Sequence, residues 1–248
     1  SGANHSAEKT MNEEQTLILF DRREHENHKE YAYRVVRDNI MTLNLKPGTA
    51  INEADLCSLL HISRTPVHEA VTKLKEEFLI DVFPQKGSYI SQINLSNFRE
   101  GYYLRLTVEP AIIKQVQGCL SNEDSKRLLE NLNLQKEVAE TSGNANDFLK
   151  LDNEFHKIIY EIAGKPLIWS AVRSVNSHFD RVRYMDTIIN KADLNRIYQQ
   201  HRWLYDILLI GIYSDSEIDR FYENHLGSFW EKFYTLLEQY PDYFRTEI

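Results

Sequence analysis

The sequence predicts a mainly α-helical protein: an N-terminal winged helix-turn-helix domain followed by a C-terminal all-α bundle. Three observations predict it. Residues 28–76 carry three successive helical periods, broken by turn-forming residues. Two short β-type runs follow, flanking a Pro-Gln-Lys-Gly tip. From Ser96 onward every apolar period is helical. The expected division is a flexible N-terminal tail over 1–27, the winged domain over 28–94, and the helical domain over 95–248.

The elements follow in order. Residues 28–45, HKEYAYRVVRDNIMTLNL, place Tyr33, Val36, Ile40 and Leu43 at helical spacing, and Lys46-Pro47-Gly48 ends that run. Asn52 is a suitable N-cap for a short helix reaching Leu60. After a break at His61-Ile62, Ser63 can cap a second helix, RTPVHEAVTKLKEEF. Pro66 falls in its first turn, where a missing N–H costs nothing. The segment LIDVFPQKGSYISQI then reads as a hairpin whose tip contains Gly87. In the second half, helices are expected near 96–118, 121–141, 145–163, 166–187, 193–212 and 215–239. Ser121, Asp193 and Asp215 are the expected caps, Gly143 and Gly164 the stops, and Pro110 a bend in the first helix.

Composition narrows the function classes. The 248 residues are 42% hydrophobic, enough for one large or two ordinary domains. No run of 18 apolar residues occurs, so no membrane span is expected. The first residues, SGANHSAEKTMNEEQ, lack a signal peptide's apolar core, so a cytoplasmic location is expected. Two cysteines, Cys57 and Cys119, are too few for a disulfide framework or a thiolate zinc site. The net charge is −8, but residues 28–95 balance eight Lys/Arg against eight Asp/Glu, and the acidic excess lies elsewhere. A neutral segment binds DNA when its basic groups share one face.

A short helix, a tight turn and a second helix opening on Arg-Thr suit insertion into a DNA groove. The second helix's N-terminus points N–H groups and partial positive charge at a phosphate. Arg64 and Thr65 lie at that end, Lys73 and Lys75 farther along, and Lys86-Gly87 at the hairpin tip. Within residues 45–90, LKPGTAINEADLCSLLHISRTPVHEAVTKL and PQKGSYI resemble the GntR family of bacterial transcription regulators. The resemblance implies a major-groove helix starting near Ser63, and DNA contacts from Arg64, Thr65, Lys86 and Gly87. His68 stands where that family usually has Arg. An imidazole lacks the permanent charge and the fork of a guanidinium, so a weaker phosphate contact or an altered operator preference is expected there.

The second half raises a different question. In LDNEFHKIIY, Asp152 and His156 lie one helical turn apart on an apolar face. A buried carboxylate must be compensated by a cationic side chain or a metal ion. His201 and His225 fall on the apolar stripes of two further helices. Three imidazoles and a carboxylate on inward faces of one bundle suit zinc, with nickel and manganese compatible. The other reading is a set of structural histidines, each hydrogen-bonded within the core. This half resembles the FCD ligand-binding domain of the FadR branch of GntR regulators, through LDNEFHKIIYEIAGKP, QQHRWLYDIL and FYENHL. The resemblance implies one divalent metal per chain on Asp152, His156, His201 and His225. Arg105 matches an arginine on that domain's first helix, placed to meet an effector carboxylate. The other reading of Arg105 is a buried pair with Glu109.

The function expected is therefore a homodimeric regulator, not an enzyme, that binds double-stranded operator DNA and answers a small carboxylate beside the metal, with repression the expected mode. A regulator answering the metal ion itself is the alternative. A metal-dependent hydrolase would need Glu154 as its base, and Glu154 points off the Asp152 face. A winged-helix scaffold that binds protein or metal alone is a further reading.

Overall fold

The structure is a computed structural model and describes residues 7–12, 15–189, 193–227 and 230–245. The chain divides into two compact units. The first runs to Phe98 and is rejoined by the chain from Leu237 onward; the second is Arg99–Leu236.

The first unit opens on a feature that the sequence assigns to a flexible tail. Strands β1 (Ala7–Asn12) and β2 (Gln15–Leu19) form an antiparallel hairpin. Leu17 is fully buried in the unit's hydrophobic core. The tail expectation is corrected for residues 7–12 and 15–27; residues 1–6, 13 and 14 lie outside the described ones. The cause is Asn39, wholly buried on α1 (His28–Met41). Its side-chain amide accepts from Ile18 N at 2.8 Å and donates to Ile18 O at 2.8 Å, as a neighbouring strand would. Arg34 holds Glu26 by two bonds, of 2.6 and 2.8 Å, and Asn27 and Glu30 form a capping box at the start of α1.

The buried face of α1 is Tyr31, Ala32, Val35, Val36, Asn39 and Ile40. Val36 and Ile40 are buried as expected, whereas Tyr33 and Leu43 are not. Tyr33 is half-exposed under the Lys73 ammonium, and Leu43 lies past the helix end at φ 61°. Strand β3 (Ala50–Ile51) leads to α2 (Glu53–Leu60), capped by Asn52, whose side chain accepts from Ala54 N. His61 turns the chain in a left-handed conformation, Ile62 N returns to Cys57 O, and α3 (Arg64–Glu76) begins. Strands β4 (Ile80–Phe83) and β5 (Gly87–Ile90) pair antiparallel, and β3 adds to β5 to give the order β3-β5-β4. This is the expected winged helix-turn-helix.

Strand β6 (Ile93–Asn94) precedes α4 (Leu95–Val116), which continues through Pro110. The second unit then contains α5 (Asn122–Glu140), α6 (Ala145–Ile162), α7 (Pro166–Val175), α8 (Ser177–Ile189), α9 (Leu194–Ile210) and α10 (Asp215–Gly227). The helix expected over 166–187 is two, divided at Asn176. The helix expected over 215–239 corresponds to α10 and α11 (Trp230–Gln239), on either side of residues 228–229. Ser121 and Asp193 cap as expected. At α10 the cap is Ser214 rather than Asp215: its N–H and hydroxyl hold Glu217 Oε2 at 2.8 and 2.6 Å. Gly118 and Gly211 let the ends of α4 and α9 cross. Gly118 N donates to Leu208 O, and a Cβ on Gly211 would lie 2.5 Å from Gly118 Cα.

The last described residues do not stay with the helices. After a 3-10 turn (Pro241–Tyr243), β7 (Phe244–Arg245) pairs parallel with β6. Gln92 Nε2 donates to Asp242 O at 2.9 Å, and Phe244 is buried. The expected division at 94/95 thus differs from the observed one: the first unit extends to Phe98 and takes in the chain from Leu237 onward.

Candidate nucleic-acid interface and metal centre

The first unit presents the start of α3. Ser63 has N-cap geometry without a side-chain capping bond, so first-turn N–H groups remain available to an anion. Arg64 and Thr65 are exposed in that turn. Arg64, His68, Lys86 and Gly87 line one open groove between α3 and the wing, with Asn52 and Ser88. The wing tip is tight: Lys86 N bonds Phe83 O, Gln85 has φ 64° and Gly87 φ 107°. His68 Nδ1 lies 3.0 Å from Glu53 Oε1, so the imidazole is tied to α2 rather than projecting alone. Sequence reasoning did not foresee that tether.

In the second unit three of the four expected ligands, His156, His201 and His225, form one cluster, and Asp152 adjoins it at His201. Helix α6 supplies Asp152 and His156, α9 supplies His201 and α10 supplies His225. Asp152, His156 and His201 are buried, and His225 is half-buried. One ring nitrogen of each imidazole lies within 4.8 Å of the other two. His156 Nε2 and His225 Nε2 are 3.4 Å apart, and His201 Nε2 is 3.4 Å from Asp152 Oδ1. Ligand atoms about 2.0–2.1 Å from a tetrahedral ion are separated by about 3.3 Å, so both spacings fit one.

The opposite ring edges fix which nitrogens face inward. Asn131 donates to the Leu151 carbonyl, Gln135 donates to Asn131 Oδ1 at 2.7 Å, and Gln135 Oε1 lies 2.7 Å from His201 Nδ1. A backbone carbonyl only accepts, so this chain orients both amides and makes His201 Nδ1 the donor. His201 Nε2 is left with its lone pair. Gln200 Oε1 holds His225 Nδ1 at 2.9 Å in the same way, and Glu109 Oε2 faces His156 Nδ1 at 3.3 Å. His201 and His225 therefore have a hydrogen-bonded outer acceptor at Nδ1, and His156 has the Glu109 carboxylate facing its Nδ1. Asp152 Oδ1 and His201 Nε2 are buried without a hydrogen-bond partner. Such atoms are costly unless something binds them. The residues present fit a divalent transition metal.

The electrostatics agree. Burial drives the His201 pKa down to about 3, against a smaller upward pull from Asp152. Burial likewise puts His225 well below the usual histidine range. Both rings are neutral ligands at pH 7. Burial alone would raise the Asp152 carboxyl, but the Arg183 guanidinium, 2.5 Å from Oδ2, leads the charges that hold it well below the carboxylate range.

Arg105 lies beside this centre, yet its guanidinium is already engaged: Nε is 2.5 Å from Glu109 Oε1, and both side chains are buried. The ion-pair reading is what the structure contains. Arg105 also borders a cavity of about 50 Å³ with Asp152, Arg183, Asp186 and His225.

The comparisons with known proteins match both units. The family model described as bacterial regulatory proteins, gntR family, matches residues 28–90, and the FCD domain model matches residues 100–211. The chain belongs to the GntR family. This GntR regulator is 28% identical over 218 residues to the HTH-type transcriptional repressor RspR of Escherichia coli (strain K12), covering 88% of this chain and 94% of that protein. Its fold is similar to a putative transcriptional regulator GntR from Rhodococcus sp. RHA1, with a TM-score of 0.68 and 20% identity, covering 84% and 97% of the two chains. It is also similar to E. coli McbR/YncC, with a TM-score of 0.67 and 18% identity over the same shares.

Five residues of this GntR regulator's candidate site were missed as site members from sequence. Arg183, Gln135, Asn131 and Gln200 come from helices other than those of the ligands they support, or, for Gln200, from the position adjoining one. Glu109 was foreseen only as a partner of Arg105. The one available signal is polar residues at inward positions of otherwise apolar helix faces, such as Asn131 and Gln135 on α5.

Proposed function

We propose that this GntR regulator is an operator-binding repressor, acting as a homodimer, whose second unit holds one divalent transition metal, zinc foremost, beside a pocket for a small carboxylate. The observation carrying the metal reading is the cluster of three imidazoles, two of them hydrogen-bonded at Nδ1, with a buried Asp152 oxygen 3.4 Å from His201 Nε2 and without a partner. Repression is the role for which the relative RspR is named. A bound divalent ion would supply an electrophilic open position for a carboxylate oxygen. Asp152, His156, His201 and His225 hold that ion, and Gln135, Gln200 and Glu109 orient the rings. Arg183 and Arg105 border the cavity and offer charge to an anion, in exchange with Asp152 and Glu109. Such an effector shifts DNA binding only through its different affinity for the DNA-competent and DNA-incompetent arrangements.

A regulator answering the ion alone is the second reading, and the cavity of about 50 Å³ favours it by leaving little room for a larger effector. A hydrolase finds no support: Glu154 is exposed, and Lys157 Nζ holds its carboxylate at 3.2 and 3.3 Å. The test is metal analysis of gently purified protein. About one ion per chain is expected by the four-ligand rule for such sites, lost in Asp152→Ala; full retention in that variant ends the metal reading. A thermal-shift screen of small carboxylic acids on loaded protein, with and without zinc, separates effector sensing from ion sensing.

A further inference from the structure

A second feature of the helical unit has no part in the proposed metal centre or DNA contact. Helices α9 and α10 frame an open groove lined by Arg196, Gln200, Trp203, Arg220, Phe221 and Asn224, among others. Its floor is aromatic: Trp203 and Phe221 stack with centroids 4.5 Å apart, and both are half-buried, leaving ring surface towards the groove. Its flanks are cationic. Arg196 on α9 and Arg220 on α10 are exposed, and neither guanidinium forms an ion pair among the described residues. The acid lining the groove, Glu217, holds the Ser214 cap and also lies in the field of Arg220, without an ion-pair contact to it. In a chain of net charge −8, two exposed guanidiniums flank this aromatic floor.

The floor also continues inward. Phe221 stacks on His225 at 5.4 Å, and His225 stacks on His156 at 5.5 Å. Gln200 lines the groove and accepts from His225 Nδ1. A column of rings and one amide therefore run from the groove to the imidazole cluster.

We propose that this groove binds a small aromatic carboxylate, its ring on the exposed part of Trp203 and its charge on Arg196 and Arg220. Aromatic faces and guanidiniums together select a flat anion, since stacking needs a π-face and each arginine needs an acceptor. Occupancy is felt at His225 through Phe221 and Gln200. That coupling rests on the metal reading, whereas the binding does not.

The test uses full-length protein with Trp169→Phe and Trp230→Phe, so that emission reports Trp203. Benzene-1,3-dicarboxylate is titrated in, with cyclohexane-1,3-dicarboxylate and inorganic phosphate as controls. The expected result is saturable quenching by the aromatic diacid alone. Arg196→Ala or Arg220→Ala should weaken it roughly tenfold, the loss of one charge-assisted contact. Asp152→Ala should still bind it, which separates failure of this site from failure of the metal reading. Linear quenching, equal binding of the cyclohexane diacid, indifference to the arginine variants, or loss in Asp152→Ala each overturns the proposal. So does shielding of Trp203 from acrylamide that grows with protein concentration, which assigns the groove to a second copy of the chain. If the double tryptophan variant does not fold, calorimetry on the unmodified chain and the arginine variants distinguishes the same outcomes.

Discussion

The amide of Gln135 is gripped on one side by Asn131, itself anchored on the Leu151 carbonyl, and offers its oxygen to His201 on the other. The tautomer of the His201 ring, a proposed metal ligand, is thus fixed three hydrogen bonds away on a backbone atom. Gln135→Leu is expected to lower zinc affinity about 10–100-fold, the usual effect of losing such an outer partner. Competition with a chromophoric chelator measures it, with helicity by circular dichroism unchanged. Asn39 does comparable duty in the first unit, where its amide serves both backbone groups of Ile18. Asn39→Ala leaves that pair unsatisfied and should cost about 2–3 kcal/mol of the first unit's stability, read as a lower urea midpoint with an unchanged slope.

At the level of elements, α3 and the wing set the DNA surface. Arg64→Ala should abolish the gel-shift of promoter fragments at salt where the unaltered protein binds, since Arg64 has the exposed first-turn position beside Lys86. Retained binding would remove the docking arrangement. His68→Arg replaces the tether to Glu53 with a longer cation, and a changed operator preference is the expected readout. Much of this was legible in sequence because helix spacing alone puts Asp152 and His156 on one face, and His201 and His225 on theirs. Partners that meet across helices were not legible: nothing in the spacing of α5 or α8 says that Gln135 or Arg183 faces α6 or α9. The β1–β2 hairpin was missed because part of what ties it to the unit is the Asn39 side-chain amide on α1, which bonds both backbone groups of Ile18. Strand β7 was missed because two residues carry no period.

For the whole molecule below neutral pH, the buried histidines and carboxyls act with one sign. His201 titrates at about 3 when folded against an ordinary 6.5, so between those values the unfolded chain binds more protons. Stability of the metal-free protein is therefore complete above about 6.5 and is lost as pH falls. His225 acts in the same direction, and the lowered carboxyls of Asp152 and Glu109 extend the loss into the carboxylate range. A urea midpoint that drops between pH 7 and pH 5, and drops less in His201→Gln, is the expected outcome; an unchanged midpoint would contradict the buried neutral rings.

The parallel pairing of Phe244–Arg245 with Ile93–Asn94 also sets a timetable for biosynthesis. Residues made after α11 complete the unit whose other parts are made before α5, so the ribosome releases a DNA-binding head that still lacks its closing strand. A premature stop shortly before Tyr240 would yield a chain with every residue of the helix-turn-helix and every proposed metal ligand, yet with the stretch after the wing left unbuttoned.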